Sequence, residues 1–198
     1  MLNKKIESQE DVKVLKQMIS QSIGLFNLTH RCYEYGLDIR LDSQAIKRLL
    51  PLNVSLIDIV GKYSELSEEW FFPQRNTIRF LTGKVTQYVN SSAKKVDEGG
   101  ALDNTDIVGI ALVYRSILDS LFDICSECYV LFKNSNMMDT LETNEVNLLT
   151  RAYANPGEFY VKDEGTRPEQ RFLATADESR RAIEGTYDEV EDNDEYDE

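Results

Sequence analysis

The chain has 198 residues, with 35 acidic against 22 basic side chains and a formal net charge of −13. A hydrophobic share of 41%, with 10% aromatic residues, supplies a core and excludes a wholly disordered chain. One histidine and three cysteines exclude a histidine-rich metal centre and a disulfide framework, and the overall acidity disfavours a protein that coats nucleic acid.

Ser8, with Asp11 three residues on, caps a first long amphipathic helix over residues 9–35. Its seam is Val12, Leu15, Ile19, Ser22, Phe26, Thr29 and Tyr33, widened by Met18, Leu25 and Cys32, and Gly36 is expected to stop it. Leu37 to Leu41 alternates apolar and charged residues and suits a short extended link. A short helix follows to Leu50 and ends at Pro51. Asn53 or Ser55 then caps another, with Leu56, Ile59, Val60, Tyr63 and Leu66 on one side. Trp70-Phe71-Phe72-Pro73 forms a hydrophobic corner. Pro73 opens a helix to about Ala93 with Ile78, Leu81, Val85 and Tyr88 as its seam.

Residues 94–104, with Gly99-Gly100, are expected to be a loop. Asn104 or Thr105 caps the most regular helix, in which Ile110, Ile117, Ile124 and Leu131 recur every seven residues beside Tyr114, Leu121 and Cys128. Its polar stripe is Arg115, Asp119, Asp123 and Glu127. A last helix runs from about Thr143 to Tyr153. The expectation is therefore an all-α fold: a helical bundle of three long amphipathic helices plus shorter ones. Ile110, Tyr114, Ile117, Leu121, Ile124 and Leu131 form either its core seam or an oligomer seam.

The charge is concentrated at one end. Residues 157–198 hold 15 acids and 5 bases, against 20 and 17 in residues 1–156. Asn155-Pro156-Gly157 marks the boundary, so residues 1–154 form the helical body and 155–198 an acidic, largely extended tail. Within the tail, 168–185 has the pattern of a docking helix, with Phe172, Ala176 and Ile183 on one face. Tyr187 and Tyr196 offer aromatic anchors among eight acids in residues 188–198.

No chemistry-bearing set emerges. Cys125 and Cys128 share a helix face, but His30 and Cys32, two residues apart, point away from each other, which argues against zinc. A Cys-x-x-Cys in mid-helix is misplaced for thiol redox work, no Gly-x-Ser-x-Gly occurs, and Gly61-Lys62 and Gly83-Lys84 lack the rest of a phosphate loop. Asp119, Asp123 and Glu127 lack the Glu-x-x-His partner of a di-iron bundle. The expectation is a protein with no catalytic residues, no metal and no cofactor.

Residues 70–96 contain Arg75, Arg79, Lys84, Lys94 and Lys95 and no acid, a candidate phosphate-contacting face. Two function classes follow. The first is a structural or assembly protein, an adaptor or ring-type homo-oligomer of the kind viral particles use, whose acidic tail docks on a partner protein. The second is a nucleic-acid-associated regulator or DNA-packaging subunit in which the tail competes for the basic segment. The N-terminus has no signal-peptide core and the most apolar stretch, 107–132, is interrupted by charges. No membrane partner is expected, and the setting is cytoplasmic or a particle made there.

Overall fold

The computed structural model describes residues 5–67 and 69–154. Five α-helices account for most of them: α1 Gln9–Asp38, α2 Ala45–Ser64, α3 Phe72–Asp97, α4 Asn104–Asn134 and α5 Thr143–Ala154. A single 3-10 turn, Met138–Thr140, precedes α5, and no strand occurs among the described residues. None of the helices is long and apolar enough to cross a membrane. The acidic tail, its docking helix at 168–185 and Phe172, Ala176, Ile183, Tyr187 and Tyr196 lie outside the described residues.

Capping chemistry sets the helix ends. At α1 the Ser8 Oγ accepts from the Asp11 N–H at 3.1 Å, and the Asp11 carboxylate accepts from the Ser8 N–H at 2.9 Å. These hydrogen bonds, led by that from the Ser8 hydroxyl, hold the Asp11 carboxyl below its ordinary range. The cap of α4 is Asp103, not Asn104 or Thr105, because Asp106 completes the same reciprocal box with it. At the other end of α3, Gly99 takes a φ of 78° and lets the N–H groups of Gly99 and Gly100 bond back to Val96 and Lys95. Asn136, with φ 54°, closes α4 in the same way onto Lys133 and Phe132.

Three expectations fail for identifiable reasons. Gly36 does not stop α1. It lies inside the helix, where an added Cβ would sit 3.3 Å from Ile110 Cγ2, so this glycine lets α1 approach α4 closely. There is consequently no extended link, and α1 passes through Asp38 into a turn over 39–41. Pro51 does not end a helix either. The buried positions Ile46, Leu49, Asn53, Leu56, Val60 and Tyr63 keep helical spacing through it. Pro51 is exposed, so the carbonyl it leaves unbonded faces water. α2 is thus one helix of 20 residues, and the fold has four long helices in place of three.

α1 packs on α2 and α4, and α3 packs on the same two helices, with α5 laid on α4. Paired contacts fix the directions. Ser22 meets Tyr63 across α1–α2, Asn53 meets Thr86 across α2–α3, and Gln74 meets Glu127 while Lys95 meets Asp106 across α3–α4. Each neighbouring pair therefore runs antiparallel. The core is their shared interior: Leu15, Met18, Ile19 and Leu25 of α1, Leu49 and Leu56 of α2, Ile78 and Val85 of α3, and Ile110, Ile117 and Phe132 of α4 are all buried. Tyr153 of α5 stacks on Tyr129 at 4.5 Å between ring centres.

Candidate interaction face on the third helix

α3 starts with a strained residue. Phe71 has φ 53°, a conformation that costs a bulky residue on the order of 1 kcal/mol. Burial of Trp70 and Phe71 against the core offsets it. Phe72 projects outward instead. Pro73 then sits in the first turn, where a missing N–H costs nothing.

The inward positions are Arg75, Ile78, Thr82, Val85, Val89, Ser92 and Val96, spaced by threes and fours. Leu81 is half-buried and Tyr88 exposed, so the seam expected through them is shifted in phase. Arg75 is the largest departure from the expected phosphate-contacting set. It is 1% exposed and cannot reach a phosphate on the surface. Its Nε donates to the Trp70 carbonyl at 2.9 Å, and its Nη1 donates to the carbonyls of Ser64 at 2.8 Å and Tyr63 at 3.4 Å. A buried cation thereby caps the negative end of α2. Burial lowers the Arg75 pKa, yet a guanidinium keeps its charge at neutral pH.

The outward side of α3 has a different chemistry. Asn76, Arg79, Phe80, Gly83, Lys84 and Gln87 line an open, shallow depression. Phe80 is 62% exposed, and Phe72 and Tyr88, eight residues before and after it on the same helix, are 47% and 46% exposed. Lys84 Nζ lies 5.5 Å over the Phe80 ring. Neither Arg79 nor Lys84 pairs with a carboxylate among the described residues. Gly83 leaves the floor of the depression open, since an added Cβ would meet nothing within 4 Å. Lys94 and Lys95 are committed elsewhere. Lys94 pairs with Glu98 at 3.8 Å, and Lys95 holds Asp106 at 2.9 Å and Asp103 at 3.6 Å, fastening the end of α3 to the start of α4. Of the five expected phosphate contacts, the structure leaves Arg79 and Lys84 together on one exposed face.

The seven-residue seam of α4 is turned inward. Ile110, Tyr114, Ile117, Leu121 and Ile124 are buried within the single chain and Leu131 is half-buried, which is the core alternative for these residues. A polar chain crosses this core. The Tyr114 hydroxyl of α4 donates to Asn53 Oδ1 of α2 at 2.8 Å. Asn53 Nδ2 donates to Thr86 Oγ1 of α3 at 3.0 Å, and Thr86 donates onward to the Thr82 carbonyl at 2.7 Å. The sequence pattern assigned Asn53 to a helix cap. The signal for its real role is a lone amide among the buried apolar positions of α2.

The groups weighed for chemistry are placed as structural parts. Cys32, Cys125 and Cys128 are buried and unbridged. Burial pushes the thiols of Cys32 and Cys125 up to about 12, and that of Cys128 also rises, so none is a thiolate near neutral pH. His30 stacks on Phe26 and lies 3.9 Å from Glu34, and burial lowers its pKa. Asp119 has a raised pKa, chiefly from burial, and Glu127 accepts from Gln74 at 3.1 Å. Among the described residues no three His, Cys, Asp or Glu side chains gather as a metal site. Comparison with protein-family models, with curated proteins and with solved structures gives no match to this chain.

Proposed function

We propose that the chain is a non-catalytic four-helix bundle that works as an assembly or adaptor protein, contacting protein partners through the outer face of α3 and through its acidic C-terminal segment. The observation that carries this is the composition of that face: Phe72, Phe80 and Tyr88 stand exposed beside Arg79 and Lys84. Exposed aromatic rings interleaved with cations are the residue types that anchor protein contacts. The apolar seam of α4 is consumed in the chain's own core, so self-association through those heptads has no support, and association through α3 replaces it.

Light scattering on the full chain over a range of concentrations tests the proposal. The expected result is a mass that rises above the monomer with concentration and falls back with Phe80→Ser or Lys84→Glu. A monomer at every concentration, with no change on either substitution, overturns the assembly role.

Nucleic-acid association is the second reading, favoured by the absence of any acid from residue 70 to 96. With Arg75 buried and Lys94 and Lys95 paired, two cations remain to meet phosphate. Two neutralised phosphates give a salt slope of only about −1.8 in log K on log salt. Titration of a labelled duplex oligonucleotide at two salt concentrations separates the readings: a slope of about −4.5 would return all five bases to the phosphate face.

A further inference from the structure

The outer face of α3 has a positive, aromatic character with no acid on its helix before Asp97. The same chain carries the complementary chemistry at its other end. Residues 187–198 are Tyr187, Val190, Asn193, Tyr196 and eight carboxylates, with no base among them. We infer that the depression lined by Arg79, Phe80, Gly83 and Lys84 is the docking site for the acidic, tyrosine-bearing segment 187–198 of a neighbouring copy of this chain.

Two observations point there. Arg79 and Lys84 have no carboxylate partner among the described residues, whereas the basic residues at the far end of α3, Lys94 and Lys95, each have one. Charge complementarity is therefore concentrated at one place on the helix. Phe80 is exposed beside these two cations and offers an open aromatic face on which a tyrosine ring can pack.

The inference rests on the proposal that α3 is a contact face, and it names the occupant. Zero-length carbodiimide coupling of the full chain, which joins a lysine amine to a carboxylate with loss of water, tests it by peptide mass spectrometry. Lys84 is expected to link to acids of 188–198 about fivefold more often than Lys13 or Lys62, exposed lysines that already have carboxylate neighbours. Arg79→Glu and Phe80→Ser, both surface changes that leave the helices intact by circular dichroism, are expected to remove that preference, as is salt near 1 M, where the screening length falls to about 3 Å. A mixture of isotopically heavy and light chains shows whether the link lies within one copy or between two.

Links confined to single copies would overturn the docking between copies, and a monomer at every concentration would overturn the assembly role with it. Links spread evenly over the exposed lysines would overturn the docking site, whatever the oligomeric state.

Discussion

α3 and α4 lie side by side, are similar in length and are built on opposite plans. α4 buries Ile107, Ile110, Tyr114, Ile117, Leu118, Leu121, Ile124 and Phe132, and Leu112 alone of its large apolar side chains stands exposed. α3 buries Arg75, Thr82 and Ser92 and exposes Phe72, Phe80 and Tyr88. Apolar surface left in water forfeits on the order of 1.5–3 kcal/mol per large side chain relative to burial. A helix that gives this up while spending buried positions on polar groups is not optimised for folding alone. The contrast separates a helix whose sequence is explained by the core from one whose sequence is explained only with a partner added.

Mutation can break or sharpen that contrast. The largest effect is expected on α4: Ile117→Ala removes a fully buried branched side chain at the centre of the core and should cost about 3–4 kcal/mol in a denaturant melt. On the inner side of α3, Arg75→Met keeps the volume but leaves the Ser64, Tyr63 and Trp70 carbonyls without their donor. It should cost about 2–3 kcal/mol by the same measurement. Tyr114→Phe leaves Asn53 Oδ1 unsatisfied in the core, with an expected loss of about 1–2 kcal/mol. On the outer side the sign reverses. Gly83→Ala places a methyl group in open space within an exposed helix and should stabilise by about 0.5–1 kcal/mol, while filling the depression and weakening the Lys84 cross-link. Smallest of all, Phe80→Ser should change the unfolding free energy by less than about 0.5 kcal/mol and still abolish that cross-link. A large loss of stability with Phe80→Ser would show that the two helices differ less than their surfaces imply.

Much of this was legible in the residue order. The heptads of α4 and the Ser8 and Asp11 cap of α1 appear where the spacing places them, because burial itself imposes the period. The misjudged positions share a cause: a residue type was taken for its usual role when its phase said otherwise. Arg75 stands three residues before Ile78, on the same seam as Thr82, Val85 and Val89, so its burial was encoded in register and masked by its charge. Tyr88 is the converse, an aromatic out of phase. Gly36 and Pro51 look like stops in isolation, and only the close approach of α4 and the continuous buried stripe of α2 reveal that helix persists through them. The face on α3 was half legible. Its bases were visible in the sequence, but which of them would be consumed by caps and ion pairs depends on the fold.

The polar chain from Tyr114 through Asn53 to Thr86 has a kinetic meaning. It threads groups of α4, α2 and α3 onto a single series of hydrogen bonds, and the buried Ser22–Tyr63 bond ties α1 to α2, so no one of the four can swing away without orphaning a buried donor or acceptor on another. Amide protons in the middle of α1, α2, α3 and α4 should therefore exchange with deuterium at one common, slow rate set by global opening. α5 contributes nothing to that series, so its amides are free to exchange faster. The body would open in two steps, first at the helix from which the acidic segment departs and only then as a whole.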